Sequence, residues 1–325
     1  MKAVVIGAEG VELREISRPD PGPEQVLVRV GAVGLNRADL IMASGRMHGS
    51  AGGPGTILGL ECSGEVAAVG SAVTGIKPGD RIMCSAPSTY AEYAIADMGR
   101  VHAIPANNMT FKQAATLPVA LQTMHNAIVT AGRLKAGESI MIQGASTGVG
   151  LVGLQIAKLM GAGLVIGSST NPRRRVKLAE FGADLAVDSR DARWPDQVLE
   201  ATSGKGVDLI VDQISGYVAN DNMRATAVLG RIVNVGRLGG FKGEFDFDLH
   251  AMRRIAYIGV TFRTRSLAEV REINRLMRND LWPHVEAGRI ALPIDRVFPL
   301  DKADEALAHM KANAHLGKIV LEVVG

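Results

Sequence analysis

A glycine-rich turn at residues 144–150 is the segment best suited to bind a nucleotide. Residues 139–143 form an apolar run typical of a strand, and Gly148 and Gly150 open an apolar helical pattern directly after it. Backbone N–H groups at such a helix start can hold a pyrophosphate. A literal Gly-x-Gly-x-x-Gly begins at Gly148 but falls one turn too late, and the register that fits is Ala145-x-Thr147-Gly148-Val149-Gly150. We therefore predict a dinucleotide site, with an ordinary tight strand–helix turn as the alternative.

The end of the next predicted strand indicates which dinucleotide would bind. NAD sites usually carry Asp or Glu about twenty residues past the glycines. Here residues 167–171 read Gly-Ser-Ser-Thr-Asn, and Pro172 and three arginines, Arg173–Arg175, follow. Cations in the first turn of a helix oppose its dipole, and a 2′-phosphate would reverse that penalty. The pattern predicts NADPH bound by the two serines, Ser168 and Ser169, and the arginine cluster that follows them. A solvated cationic surface is the alternative, for any one of these arginines above all.

The surrounding elements fall into two kinds. Up to about residue 100, short β-type runs alternate with Gly/Pro turns, which is typical of a mostly antiparallel barrel. From residue 139 strands and helices alternate, which predicts a parallel sheet with right-handed crossovers. In this second part the predicted elements include a helix at 172–181 and a strand at 256–262. Helical patterns at 267–278 and 302–311 and a strand at 318–323 complete the chain.

Composition excludes several classes of protein. Hydrophobic residues make up 47% and charged residues 21%, as in an average globular protein. A net charge of +3 provides no basic field for nucleic acid, and no apolar run approaches the length of a membrane span. The two cysteines, Cys62 and Cys84, form no CxxC or Cys/His array, and the charged N-terminal residues do not form a secretory signal. We expect a cytoplasmic protein without nucleic-acid or membrane partners.

Several motifs in order along the chain resemble one family. The sequence is similar to the zinc-independent quinone oxidoreductases of the medium-chain dehydrogenase/reductase superfamily, and within them to the p53-inducible branch. Besides the glycine turn, the motifs are LNRADL at 35–40, LGLECSG at 58–64, GDR at 79–81, YAEY at 90–93, AATLP at 114–118, FRTRS at 262–266 and ANAHLGKIVLE at 312–322. The resemblance covers essentially the whole chain.

The resemblance implies an α/β fold in two domains. A GroES-like, mostly antiparallel β-barrel domain would comprise residues 1–117 and 262–325, formed by both chain ends. A Rossmann domain with a doubly wound parallel sheet would comprise residues 118–261 and bind NADPH. The resemblance also implies a homodimer, in which the apolar strand at 256–262 pairs with its twofold mate and Tyr257 and Val260 lie near the interface. The alternative is a monomer in which a loop or the flanking helix covers this edge.

The same resemblance implies that no metal is bound. The zinc cysteine of related alcohol dehydrogenases falls where Asn36 stands, and their zinc histidine falls where Leu60 stands. Glu61 remains, but zinc requires three or four ligands. Reduction of an acceptor that is already electrophilic, such as a quinone or an enone, does not need a Lewis acid.

Site residues are implied in both domains. The predicted catalytic residues are Asn36, as an amide donor, with Asp39, Met47 and Tyr90. A loop-capping pair is the alternative for Asn36 and Asp39, and packing is the alternative for Tyr90. Met47 stands where relatives often carry a pocket tyrosine, which widens the candidate acceptors. The predicted cofactor residues are Thr123, Ala145, Thr147, Gly148, Val149, Gly150, Ser168, Ser169, Arg174, Val235, Gly236, Val260, Phe262 and Asn313.

The expected activity is zinc-independent hydride transfer from NADPH to a quinone. One alternative is an enoyl or 2-alkenal reductase that acts on α,β-unsaturated carbonyl compounds. A non-catalytic NADPH-binding protein on the same fold is a second alternative. A short-chain reductase is disfavoured, since its glycine loop would lie near the N-terminus and its Tyr-x-x-x-Lys motif does not occur at Tyr217.

Overall fold

The chain folds into two compact units, Met1–Val119 with Phe262–Gly325, and Ala120–Thr261. The structure is a computed structural model that describes residues 1–8, 10–49, 52–106 and 108–323. The strands are β1 Lys2–Ile6, β2 Val11–Glu15, β3 Gln25–Gly34, β4 Glu61–Val69, β5 Arg81–Ser85, β6 Tyr93–Asp97, β7 Val101–Ala103, β8 Ser139–Gln143, β9 Leu164–Ser168, β10 Leu185–Val187, β11 Val207–Asp212, β12 Thr226–Asn234, β13 Ala256–Gly259, β14 Ile294–Pro299 and β15 Lys318–Glu322.

The α-helices are distributed over both units. They are α1 Arg37–Ala43, α2 Phe111–Ala114, α3 Pro118–His125, α4 Gly148–Leu159, α5 Pro172–Arg175, α6 Trp194–Ala201, α7 Ala219–Ala225, α8 Phe247–Arg253, α9 Leu267–Glu286 and α10 Ala303–Lys311. None of the helices within the described ranges is long and apolar enough to cross a bilayer.

The first unit is built around the ten-residue strand β3. This strand pairs antiparallel with β4, β6 and β15, so strands from both chain ends share one sheet. The sheet order is β14-β15-β3-β4-β5-β7, in which β14 and β15 run parallel. Strands β1 and β2 form a separate antiparallel pair. Val26, Val28 and Val30 from one face of β3 enter the core of this unit, and the predicted GroES-like barrel made of both chain ends is confirmed.

The second unit is a six-stranded parallel sheet in the order β10-β9-β8-β11-β12-β13. This is the strand order of a dinucleotide-binding Rossmann sheet, with β8 as its first strand. Ile140, Met141 and Ile142 of β8 are all fully buried, as expected for a strand covered on both faces. The predicted doubly wound parallel sheet is confirmed.

Two predicted elements of the second unit differ in extent from those in the structure. The helix predicted at 172–181 is α-helical only to Arg175 and continues as a 3₁₀ helix to Phe181. Leu178 is the buried side chain of that continuation, so little packing enforces regular α geometry. The strand predicted at 256–262 ends at Gly259, because the neighbouring strand β12 ends at Asn234, the residue paired with Gly259.

Helix α9 is longer than predicted. The pattern predicted an end near Arg278, whereas the helix continues to Glu286 with Pro283 inside it. Leu281 and Val285 are fully buried, so the apolar stripe continues past the expected end. Packing of that stripe outweighs the loss of one backbone donor at the proline.

The edge of the Rossmann sheet leads to a prediction about assembly. Among the described strands β13 pairs with β12 alone, and Ala256, Tyr257 and Gly259 are exposed. An exposed edge strand is a ready template for pairing with another chain. We propose that β13 joins its twofold mate in a homodimer with an isologous interface. Light scattering at micromolar concentration is expected to give the mass of two chains.

A charged substitution on this edge tests the interface. Val260 lies beyond β13 and is only 8% exposed, so a lysine there would damage the unit itself. Ala256→Lys places the charge on an exposed position of β13 and is expected to give monomers with unchanged helix content. If light scattering gives the mass of one chain for wild type, the proposed dimer is refuted. If Ala256→Lys still forms a dimer, the interface does not lie at β13.

Candidate active site

The turn between β8 and α4 has the geometry of a pyrophosphate-binding turn. Thr147 caps helix α4, since its Oγ1 accepts a hydrogen bond from the Gly150 N–H at 2.9 Å. A Cβ at Gly150 would lie 2.7 Å from the Cα of Ala145 and from the carbonyl oxygen of Gly144. Only glycine therefore fits at this position. Helix α4 begins at Gly148 as predicted, which leaves its first N–H groups directed out of the turn.

The end of β9 is joined directly to this turn. The Ala145 N–H donates to the carbonyl oxygen of Ser168 at 2.9 Å. The Ser168 hydroxyl accepts from the Gly144 N–H at 2.9 Å and donates to Gln143 Oε1 at 2.6 Å. Ser168 is also fully buried. Its hydroxyl therefore holds the turn. Contacts of Ser168, Ser169 and Arg174 with a phosphate stay predictions.

The region predicted to bind the 2′-phosphate contains a half-buried cation that is well suited to it. Arg173 is exposed, and Arg175 forms an ion pair with Asp188 at 2.8 Å. Arg174 is half-buried, and desolvation lowers the pKa of its guanidinium. The Ser169 hydroxyl, in a residue that is 4% exposed, donates to Ser146 Oγ at 2.9 Å. A cation partly withdrawn from water and a serine hydroxyl five residues before it in the chain are the kinds of group that bind a phosphate.

Gln213, just past the end of β11, is a site residue that the sequence analysis missed. Its Oε1 accepts from Thr147 Oγ1 at 3.0 Å, and its Nε2 donates to the carbonyl oxygens of Gln143 and Gly144 at 3.1 and 3.3 Å. The side chain thus fixes both sides of the turn. A polar residue at the carboxyl end of the strand next to β8 was the available signal.

The remaining predicted cofactor residues are spread over both units. The N–H groups of Val235 and Gly236 donate to the Asp212 carbonyl at 2.8 and 3.1 Å, so their backbone is held by β11. Asn313 is exposed, and its Oδ1 accepts from Arg37. The others are the half-buried Thr123, Val149 and Phe262 and the buried Val260. Their contact with a cofactor stays a prediction.

Three of the predicted catalytic residues form one hydrogen-bonded cluster in the first unit. Asp39 Oδ2 accepts from the Asn36 backbone N–H at 2.7 Å and from the Tyr90 hydroxyl at 3.0 Å. Asn36, which caps helix α1, is 8% exposed, whereas Asp39 and Tyr90 are fully buried. Asn36 is therefore the member nearest to solvent, and Asp39 and Tyr90 support it from within.

The Asp39 carboxyl holds a proton unusually well. Burial raises its pKa to about 7, against the lowering effect of the hydrogen bonds from Asn36 and Tyr90 and of the Lys318 charge. Its second oxygen, Oδ1, is buried and accepts no hydrogen bond from any residue in the described ranges. Burial also raises the pKa of Tyr90 well above its ordinary value. The cluster of Asn36, Asp39 and Tyr90 therefore carries little negative charge below neutral pH, and Asp39 ionises as the pH passes about 7.

The fourth predicted catalytic residue, Met47, does not join this cluster. It lies in the loop after α1 and is 58% exposed. A role for it in binding an acceptor stays a prediction.

Two charged residues that the sequence analysis did not place in the site complete the cluster. The Asn36 side-chain amide donates to Glu61 Oε1 at 2.8 Å, and its Oδ1 accepts from the Lys318 ammonium at 2.9 Å. Lys318 and Glu61 form a buried ion pair at 2.5 Å. The sequence carried a weak signal for them, since each stands in one of the motifs at 58–64 and 312–322.

The side chains around Asn36 do not fit a catalytic zinc ion. Asn36 and Leu60 provide no thiolate or imidazole, and both oxygens of Glu61 already accept hydrogen bonds. Cys62 and Cys84 face each other across β4 and β5, with their sulfur atoms 3.6 Å apart. In the described part of the chain, no three His, Cys, Asp or Glu side chains are grouped as a metal site would require.

Comparison with known proteins shows which families and proteins this chain is similar to. A family model described as zinc-binding dehydrogenase matches residues 148–279, and one described as alcohol dehydrogenase GroES-like domain matches residues 22–106. The chain is 30% identical over 317 residues to a phenolphthiocerol/phthiocerol polyketide synthase from Mycobacterium tuberculosis, in a match that covers 97% of this chain and 14% of that protein. It is 29% identical to the highly reducing polyketide synthase phiA of a fungal species, over 91% of this chain and 11% of that protein. The chain thus spans only a small part of these two relatives.

Two solved structures match the fold over almost its full length. An alcohol dehydrogenase superfamily protein from Novosphingobium aromaticivorans is 28% identical with a TM-score of 0.90, and the match covers 100% of both chains. A quinone oxidoreductase from Pseudomonas syringae pv. tomato is 26% identical with a TM-score of 0.86, and the match covers 99% of each chain. The glycine turn, the barrel made of both chain ends and these matches show that the chain belongs to the medium-chain dehydrogenase/reductase superfamily.

Proposed function

We propose that this oxidoreductase transfers a hydride from NADPH to a quinone. The observation that carries the proposal is the Asn36–Asp39–Tyr90 cluster, joined to Glu61 and Lys318, at a place whose donor groups do not fit zinc. A quinone is already electrophilic, so it can accept a hydride without a Lewis acid. NADPH, when bound, supplies the hydride and both electrons. Similarity to a quinone oxidoreductase supports this choice.

NADPH is proposed as the cofactor because of the residues at and after the end of β9. No acid stands in the sequence there to accept hydrogen bonds from ribose hydroxyls. Ser169 and the half-buried Arg174 supply a hydroxyl and a cation, both of which suit a 2′-phosphate. Thr147 and Gly150 shape the turn for the pyrophosphate.

The second candidate is reduction of an α,β-unsaturated carbonyl compound, such as an enoyl thioester or a 2-alkenal. Two observations favour it. Met47 stands where a pocket tyrosine is common in the quinone oxidoreductases that the sequence resembles. The chain is also similar to polyketide synthases, one of which is named highly reducing.

A side-by-side turnover assay distinguishes these functions. NADPH oxidation is followed with a panel of quinones and a panel of enones, and kcat/KM is compared between the panels. Higher values for quinones support the first proposal, and higher values for enones reassign the enzyme to the second. Tight NADPH binding without turnover of either panel would indicate a non-catalytic NADPH-binding protein.

Metal removal is a separate test of the mechanism. Because the described groups around Asn36 do not form a zinc site, dialysis against a strong chelator is expected to leave kcat unchanged. Elemental analysis is expected to find much less than one zinc per chain. A stoichiometric metal whose loss abolishes turnover would overturn the mechanism.

A further inference from the structure

The ion pair between Lys318 and Glu61 is among the most deeply buried charge pairs of the first unit. Lys318 Nζ lies 2.5 Å from Glu61 Oε1, and the two side chains are 5% and 0% exposed. Lys318 begins β15 and Glu61 begins β4. Buried ion pairs are costly to desolvate and are a weak source of stability. Their position against Asn36 therefore calls for a reason other than stability.

The Lys318 ammonium and both carboxylate oxygens of Glu61 have hydrogen-bond partners. The Lys318 ammonium has three protons and three acceptors, namely Glu61 Oε1, the Leu35 carbonyl oxygen at 2.8 Å and Asn36 Oδ1 at 2.9 Å. Glu61 Oε2 accepts from the Val119 N–H at 2.8 Å. A fully satisfied buried network of this kind is rigid.

The network sets the orientation of the Asn36 amide. Its carbonyl oxygen faces an ammonium at 2.9 Å and its Nδ2 faces a carboxylate at 2.8 Å. A flipped amide would place N–H against the ammonium and C=O against the carboxylate, and both contacts would be repulsive. The second Nδ2 proton is directed to the Gly34 carbonyl oxygen at 3.3 Å. That hydrogen bond is long, so it is the weaker of the two that the Asn36 NH₂ group donates.

We propose that Lys318 and Glu61 are positioning residues that orient Asn36 so that its second Nδ2–H, which makes only the long bond to Gly34, can donate a hydrogen bond to the acceptor's carbonyl oxygen. The Lys318 charge polarises the same amide as negative charge develops on that oxygen. This inference rests on the proposed reduction of a conjugated carbonyl compound. It adds two residues that do not themselves touch the substrate.

The decisive variant removes the charges of both Lys318 and Glu61 and replaces them with uncharged side chains of similar shape. A single substitution leaves a buried charge unpaired and destabilises the fold, so Lys318→Met is combined with Glu61→Gln. The amide introduced at position 61 can still accept from the Val119 N–H through its oxygen. The matched control is Lys112→Met with Glu322→Gln, since that pair also includes a residue of β15 but is 39% and 43% exposed.

Kinetics give the first readout. In Lys318→Met/Glu61→Gln, kcat for the better acceptor is expected to fall about 10- to 100-fold, the cost of a misplaced site group. KM for NADPH and thermal stability are expected to stay near wild-type values, and the control pair should match wild type throughout. A stable double variant with wild-type kcat would overturn the proposal, because a purely structural pair predicts that result.

A second readout does not depend on turnover. The Asn36 side-chain NH₂ resonances are assigned in a ¹H–¹⁵N spectrum by their loss in Asn36→Ser, and their hydrogen exchange is measured. Protection in wild type and faster exchange in the double variant are expected, whereas equal exchange would overturn the positioning role. If wild type reduces no acceptor while exchange still responds, the proposed function fails and the orientation of Asn36 by the pair stands.

Discussion

Arg174→Ala is expected to remove most of the enzyme's preference for NADPH. Wild type should favour NADPH over NADH by a factor on the order of 10²–10³, from two or three charge-assisted hydrogen bonds to the 2′-phosphate. Since the Ser168 hydroxyl already bonds Gly144 and Gln143 within the turn, we expect Arg174 to provide most of this preference. The Kd for NADPH, measured by fluorescence titration, should rise about 10- to 100-fold while that for NADH changes little.

The neighbouring arginine provides the control. Arg173 is in the same short helix, α5, but is exposed. Arg173→Ala removes the same net charge and should have a much smaller effect on either cofactor, because exposed charges are screened by water and salt. Equal losses for NADPH and NADH in Arg174→Ala would show that this residue does not bind the 2′-phosphate.

Asp39→Asn is expected to flatten the pH dependence of stability. Burial raises the pKa of Asp39 to about 7 in the folded protein, against about 3.9 in an unfolded chain. Between these values the folded protein holds a proton that the unfolded chain has released. Stability from this group is therefore fully present below about pH 4 and is lost as the pH rises to about 7.

The size of this loss is measurable. A rise of the Asp39 pKa from about 3.9 to about 7 corresponds to a loss on the order of 4 kcal/mol in the free energy of unfolding for wild type. The amide of Asp39→Asn mimics the protonated acid and cannot ionise, so urea unfolding of this variant across the same pH range should lack that loss. Asp20→Asn, at an exposed position, should track wild type. Parallel wild-type and Asp39→Asn curves would show that the carboxyl titrates normally.

Local patterns predicted the parts of the fold that depend on neighbouring residues. The β8–α4 turn could be read because Gly148 and Gly150 follow a strand directly, and at position 150 any Cβ would collide with the turn itself. The missing acid at the end of β9 is likewise a local fact of the sequence, and it favours NADPH by itself. Strand and helix order predicted both sheets, since periodicity reports which faces are buried. Element ends were less certain, as the extension of α9 past Pro283 shows.

The sequence by itself therefore determined the two-part architecture, the dinucleotide turn and the residue types around it. Tertiary structure alone decided what those side chains do. The Ser168 hydroxyl hydrogen-bonds Gln143 and Gly144. Asp39 is fully buried and accepts from the Asn36 N–H. Lys318 pairs with Glu61, which is 257 positions away in the sequence. Such contacts leave no period or spacing in the chain, because their energies depend on burial and on partners brought together only by folding. The orientation of the Asn36 amide is thus set by two charged residues from distant strands, Lys318 and Glu61.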